Sequence, residues 1–142
     1  MATGRKNFEA AAARRIPTPV LDAAGRALIE GVNRAVTARW DRAQAVAAVA
    51  VGPTPSAKAR SIALPIRKKM TALGAAAGAT AAAPTVGTSL AVGALIAELG
   101  AIAVRTADLV MAIGAVYGHT DASAEERRAW VLAVLAFGDD AA

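Results

Sequence analysis

The feature that most constrains the fold of this chain is an uncharged run of small residues, MTALGAAAGATAAAPTVGTSLAVGALIA, over positions 70–97. Alanine, glycine and threonine make up most of this run. Small residues spaced by four let two helix backbones approach closely, either in a soluble bundle or in lipid. The run therefore predicts tight helix pairing or contact with a membrane.

The overall composition favours an all-α protein. Its 142 residues suit a single domain, here predicted over residues 1–142. Alanine is the commonest residue and the best helix former, whereas the β-branched and aromatic residues that favour strands are sparse. We expect a compact bundle of about five helices around a central Gly/Ala-rich pair over residues 66–83 and 85–118.

The domain divides at a clear loop. Residues 1–51 carry amphipathic, charged helices, predicted over 6–15 and as one long helix from 19 to about 51 that must bend or project. The sequence GPTPS over 52–56 is a loop, and the Gly/Ala-rich region covers residues 57–142. Within that region Pro65 is expected to kink or break the helix.

Two local signals set the limits of the last helices. Gly118 fits a helix C-terminus and precedes a turn that contains His119. Ser123 and Glu126 have the spacing of a capping box, which predicts a final helix to about Phe137.

Glycine spacing adds to the argument for close packing. GxxxG occurs at Gly74 and Gly78 and again at Gly114 and Gly118, with further glycines between them. The predicted helix-packing positions are Gly74, Gly78, Gly87, Gly93, Gly100, Gly114 and Gly118.

Length alone would let residues 70–97 span a bilayer, since about 20 residues suffice. Few large apolar side chains favour insertion, however, and four glycines, a proline and several hydroxyl residues oppose it. The following helix contains Glu98, Arg105 and Asp108, each costing roughly 2.5–3.5 kcal/mol at a bilayer centre. Independent spanning is therefore not expected, which leaves association with a membrane surface or conditional insertion as an oligomer.

The same three charged residues lie in apolar surroundings. We predict that Glu98, Arg105 and Asp108 form an internal ion-pair set that fixes helix register. The alternative is a polar cleft with a carboxylate as proton acceptor, but no neighbouring nucleophile or metal ligand supports it.

The cationic excess is confined to one part of the sequence. No acidic residue lies between Asp41 and Glu98, and the chain's net charge of +5 arises there. We predict contacts with anionic lipid or another anion, with a solvated basic surface as the alternative. No aromatic residue lies between Trp40 and Tyr117 to stack on bases, so nucleic acid is not expected as a partner. The predicted contact residues are Lys58, Arg60, Arg67, Lys68 and Lys69.

Motifs that carry chemistry are missing from the sequence. There is no cysteine, a single histidine, no GxSxG and no P-loop. We therefore expect no enzymatic activity, no cofactor and no metal site.

The C-terminal half resembles a known family. The run GAAAGATAAAPTVGTSLAVGALIAELGAIAVR, the helix end AIGAVYGHTD and the segment AEERRAWVLAVLAFG occur in the order and spacing of the EcsC protein family, over about residues 70–138. Glu98 and Arg105 fall where the family carries an acid and a base, and Tyr117-Gly118 matches its Tyr-Gly pair. The resemblance implies an all-helical bacterial protein, sometimes encoded beside an ABC transporter, and supplies no catalytic residues. Family members usually continue with further helices.

Together these patterns predict a non-enzymatic accessory protein that associates with a membrane or forms an assembly. The alternative is a soluble helical interaction or scaffold module without lipid binding. We expect a homo-oligomer or a protein partner, an anionic membrane surface as a further partner, and a cytoplasmic location at the inner face of the cell membrane. The predicted interface lies on the terminal helix, at Trp130, Val131, Val134, Leu135 and Phe137.

Overall fold

The computed structural model describes residues 18–81 and 88–138, with side chains described for 18–72 and 92–138. Its helices are α1 (Thr18–Ala38), α2 (Trp40–Ala48), α3 (Pro55–Ala81), α4 (Thr88–Val116) and α5 (Ala124–Phe137). The described residues contain no strand, so the predicted all-α bundle is confirmed. The helix predicted over residues 6–15 lies outside the described residues.

The central helix of the bundle is α4, which contacts each of the other four helices. Most residues of the buried core are small, and Met111 is its largest fully buried side chain. Because alanine removes little apolar surface from water, such a core depends on close approach of the backbones. The buried apolar side chains are Val32, Ala35, Val36, Ala43, Ile62, Ala103, Ala107, Met111, Ala112 and Val131.

Helices α1 and α4 run in the same direction. Gly31 lies against Gly100, and Arg39 binds Asp108, so the offset along the sequence is 69 residues at both contacts. In an antiparallel pair that offset would shrink from one contact to the next. The chain must therefore return through α2 and α3 before α4 can pack beside α1.

The long helix predicted from residue 19 to about 51 is two helices in the structure. Arg39 interrupts it, with φ −121° and ψ 10°, and α2 then ends at Ala48. A straight helix of that length is expected to be too long for this domain, and the break between α1 and α2 divides it. Both pieces pack on α4.

Pro65 is expected to kink or break the helix, and the break is wrong, because α3 continues through this residue. Proline cannot donate a backbone hydrogen bond and crowds the preceding turn, so a helix interior normally loses stability at such a position. Here Ile62 is buried and Ile66 packs against the core, on either side of the exposed Pro65. Packing on both sides of the proline favours the continuous helix.

Both predicted helix-end signals are confirmed. Gly118 has φ +92°, its N–H donates to the Ala115 carbonyl at 3.0 Å, and the His119 N–H donates to the Gly114 carbonyl at 3.0 Å. This pattern is a Schellman motif, with glycine at the left-handed position. At the start of α5, the Glu126 N–H donates to Ser123 Oγ at 3.2 Å, and the Ser123 N–H donates to Glu126 Oε2 at 2.7 Å.

The capping box should make stability depend on pH. Hydrogen bonds from Ser123 lower the pKa of Glu126 below its ordinary value of 4.5. A lowered pKa in the folded state means stability that is present above pH 4.5 and lost as the pH falls through the lower folded value. We expect Glu126→Gln to be less stable than the parent at pH 7, with the difference shrinking below pH 4.5, as measured by urea unfolding at several pH values.

Glu125→Gln is the matched control, because it removes a carboxylate from the same helical turn. Its difference from the parent should be smaller at pH 7. A parent-to-variant difference for Glu126→Gln that stays constant from pH 7 to pH 3 would contradict the assigned role of the carboxylate.

Candidate functional site

A cleft with a cationic lining opens between α2, α3 and α4. It encloses about 240 Å³ and is named here the cationic cleft. Aliphatic side chains from all three helices line part of it, and charged groups line the rest. The lining residues are Arg42, Ala43, Val46, Ile62, Ile66, Lys69, Arg105, Asp108 and Ala112.

Helical periodicity places these side chains together. Ile62, Ile66 and Lys69 follow one another at four and three residues, so they share one face of α3. On α4 the same logic aligns Arg105 and Asp108 with Ala112, at spacings of three and four. Each charged group of the cleft thus extends from a helix face that also buries an apolar residue.

Asp108 lines the cleft, and Arg39 binds both of its carboxylate oxygens. Arg39 Nε and Nη2 donate to the two carboxylate oxygens, each at 2.6 Å. The two side chains are 33% and 24% exposed, which makes this a partly buried, bidentate pair. The hydrogen bonds with Asp108 raise the pKa of Arg39 above its ordinary value, although burial opposes that rise. The pair holds the break between α1 and α2 against α4.

The predicted ion-pair set is therefore wrong in its partners. Within the described residues, no ion pair shorter than 4 Å joins Glu98, Arg105 and Asp108 to one another. Arg105 and Asp108 are close in sequence, but Arg39 offers a two-pronged interaction that matches both carboxylate oxygens. Arg105 instead lines the cationic cleft.

The charge balance of the cleft is positive. Arg42, Lys69 and Arg105 contribute cations from three helices, while the charge of Asp108 is compensated by Arg39. Among the described residues no cluster of His, Asp or Glu could hold a metal ion. The arrangement is suited to holding an anion.

The five cations predicted to contact an anionic partner do not share one face. Arg60, Arg67 and Lys68 are exposed on the side of α3 away from Ile62, and they surround Leu64, which is 49% exposed. This surface is named the outer face of α3. Lys58 lines a groove near Gln44 and Thr120, and Lys69 lines the cationic cleft.

The glycine positions have different roles. A Cβ at Gly114 would lie 2.8 Å from the Trp130 ring, and one at Gly100 would lie 3.6 Å from the Ala27 carbonyl oxygen, so both positions lie at helix contacts. Gly93 and Gly118 are different, because neither has a described heavy atom within 4 Å of the added Cβ, and Gly118 ends a helix rather than packing against one. The predicted packing at Gly74, Gly78 and Gly87 lies outside the described side chains.

One glycine that the sequence reasoning missed lies close to the backbone of another helix. A Cβ at Gly31 would lie 2.8 Å from the Gly100 carbonyl oxygen and 3.2 Å from the Ala103 Cβ. Gly31 belongs to no GxxxG pair in α1, so the motif could not identify it. Its neighbours Val32, Ala35 and Val36, on the apolar stripe, were the available signal.

The predicted interface on α5 is partly internal to the domain. Val131 is fully buried and Leu135 packs against the core, so these two residues are not available to a partner. Trp130 contacts Gly114 and meets His119 edge-on, with ring centroids 5.5 Å apart. Val134 and Phe137 are 45% and 67% exposed, and they remain the accessible part of this set.

A buried cation also escaped the sequence analysis. Arg127 is 9% exposed, its guanidinium lies 4.6 Å from the centroid of the Trp40 ring, and its Nε donates to the Ser123 carbonyl at 3.2 Å. This cation–π contact links α5 to α2. Nothing in the local sequence indicated that Trp40 and Arg127 would meet.

Among the described residues, one helix, over Val92–Val116, has the length and apolar composition to cross a membrane. No protein family, curated protein or solved structure matches the chain in comparisons with known proteins. The resemblance to the EcsC family stays a prediction.

Proposed function

We propose that this protein is a non-enzymatic accessory protein that binds an anionic membrane surface through the outer face of α3. The observation that carries the proposal is the grouping of Arg60, Arg67 and Lys68 around the half-exposed Leu64. Cations near an anionic leaflet each contribute about 1 kcal/mol of attraction, and an apolar side chain between them can enter the interface.

The apolar character of the neighbouring helix supports the same proposal. Only 22% of the most apolar stretch of Val92–Val116 is buried, and Leu95 is 50% exposed. A central helix of a soluble bundle is normally covered more fully. Contact with lipid or with another protein would cover the remaining apolar surface.

Binding at the surface is favoured over insertion. Arg105 and Asp108 lie within the apolar helix, and Asp108 is tied to Arg39 on another segment. Moving these groups into hydrocarbon would cost about 2.5–3.5 kcal/mol each and would separate α4 from its core contacts. The proposed location is the inner face of the cell membrane, with the protein bound at the surface.

The alternative is a soluble interaction module that covers its apolar surface with protein. The exposed Val134 and Phe137 on α5 favour this function, and a second copy of the chain would be the simplest partner. Vesicle flotation distinguishes the two, since the alternative requires no binding to lipid.

We expect the protein to float with vesicles that contain anionic lipid and not with vesicles of phosphatidylcholine alone. The double variant Arg67→Gln with Lys68→Gln should weaken binding by about 2 kcal/mol, or about thirtyfold in the partition coefficient, because it removes two cations from the surface. Vesicle flotation at low salt measures both effects, and binding should weaken as salt is raised.

The matched control is Arg26→Gln with Arg128→Gln, which removes two exposed cations from other helices. It should reduce binding much less than the α3 variant. Equal flotation with both vesicle types, or equal losses in the two double variants, would refute docking through the outer face of α3.

A further inference from the structure

We propose that the cationic cleft binds a phosphate group carried on a small apolar body. This site is separate from the outer face of α3, which lies on the opposite side of that helix. The proposal is independent of membrane binding. It depends on the convergence of three cations, on a carboxylate that is already paired, and on an apolar floor of matching size.

The first observation is that three cations converge on the cleft. Arg42, Lys69 and Arg105 come from three helices, and their side chains line the same cavity. Like charges brought together repel, and within the described residues no carboxylate oxygen lies within 4 Å of a side-chain nitrogen of any of the three. An anion between them would relieve this repulsion and accept their hydrogen bonds.

The second observation concerns Asp108. Its two oxygens are taken by Arg39 at 2.6 Å each, so it does not neutralise Arg42, Lys69 or Arg105. The cleft therefore has a surplus of positive charge. A phosphate monoester carries about −1.5 to −2 at pH 7, which matches this surplus better than the single charge of a carboxylate.

The third observation is the chemistry of the donors. Two of the three cations are arginines, whose planar guanidinium groups match phosphate oxygens in pairs. Arg105 is only partly exposed, whereas Arg42 and Lys69 are exposed at the rim. Arg105 would hold the phosphate inside the cleft, and the rim cations would approach it from the solvent side.

The rest of the lining selects the body of the ligand. Ala43, Val46, Ile62, Ile66 and Ala112 are aliphatic, and the cleft encloses about 240 Å³. Drug-sized ligands occupy cavities of about 300–1,000 Å³, so this cleft suits a smaller molecule. A short-chain alkyl phosphate has the required chemistry, whether it is a free ester or the headgroup end of a lipid.

The test is calorimetric titration of the full chain with butyl phosphate. We expect saturable binding at one site per chain, and none with butan-1-ol, which lacks the phosphate. Arg105→Gln should weaken binding at least about tenfold, because it removes a charged hydrogen-bond donor. Arg60→Gln, with the same loss of charge on the outer face of α3, should change the affinity by less than about twofold.

A second variant protects the test against loss of folding in Arg105→Gln. Val46 lies at the rim and is 37% exposed, so Val46→Trp would fill the cleft while keeping every cation. It should also weaken binding of butyl phosphate at least about tenfold. Absence of saturable binding to the parent, equal affinity for butyrate, or unchanged affinity in a folded Arg105→Gln or Val46→Trp variant would overturn the proposal.

The source of the phosphate is assigned by flotation with vesicles of phosphatidic acid in phosphatidylcholine. A lipid source predicts that Arg105→Gln floats less than the parent, and a free ester predicts that it floats as well as the parent. Flotation assigns only the source of the phosphate; the calorimetric losses in Arg105→Gln and Val46→Trp decide whether the cleft is a phosphate site.

Discussion

Replacing Gly31 with leucine should lower the free energy of unfolding by about 3 kcal/mol. The added Cβ would lie 2.8 Å from the Gly100 carbonyl oxygen, which is backbone and cannot rotate away. Helices α1 and α4 would have to separate, and the small core residues Ala35 and Ala103 would lose their contacts. Urea unfolding followed by circular dichroism measures the effect.

Gly25→Leu is the matched control on the same helix. No described heavy atom lies within 4 Å of a Cβ at Gly25. Leucine forms helix better than glycine, so this variant should be more stable than the parent by up to about 0.8 kcal/mol. If both leucine variants shift stability in the same direction, the close approach at Gly31 does not determine the packing of α1 on α4.

Asp108→Asn should lower the free energy of unfolding by about 2 kcal/mol, between the values typical of exposed and fully buried ion pairs. Asparagine has one side-chain oxygen, so it can accept only one of the two hydrogen bonds from Arg39. It also carries no charge, so the partly buried Arg39 guanidinium loses its charged partner. The break between α1 and α2 would then be less firmly held on α4. Thermal and urea unfolding at pH 7 measure the loss.

The control for this variant is Glu30→Gln, which breaks the pair between Glu30 and Arg34. Those side chains are 70% and 67% exposed, so the loss should be below about 0.5 kcal/mol. The double variant Arg39→Gln with Asp108→Asn should lose less than the sum of the two single variants, because each single change leaves one charge unpaired. Strict additivity would show that the two groups do not stabilise each other.

The features that sequence reasoning predicted are those set by neighbouring residues. Gly118 is at the left-handed position that ends α4, and Ser123 with Glu126 starts α5, because each motif is complete within a few residues. The all-α fold followed from composition for a similar reason. Local preferences favour these features without help from tertiary contacts.

The sequence did not predict the features that tertiary packing determines. Nothing in the sequence around Arg39 interrupts the helical pattern, yet the helix breaks there and Arg39 reaches Asp108. Pro65 is the converse case, a local breaker overruled because Ile62 and Ile66 pack on either side of it.

The cationic cleft, too, could not be predicted from the sequence. The sequence identified Lys69 as part of a basic segment and Arg105 as part of an ion-pair set, but it could not bring them together. Their meeting beside Arg42 depends on how α2 and α3 pack on α4. Helical spacing does predict which residues share a face, but the opposing face is known only from the fold.

The shared direction of α1 and α4 has a consequence for a chain emerging from the ribosome. Two helices that run the same way cannot form a hairpin, so α1 cannot pack on its main partner until α4 has been synthesised. At about 5–20 residues per second, the roughly 70 residues that separate them take on the order of 4–14 s to make. During that interval Val32 and Val36 have no α4 to pack against. The fraction of nascent chains that aggregates would therefore depend on a holding chaperone and on the rate of translation.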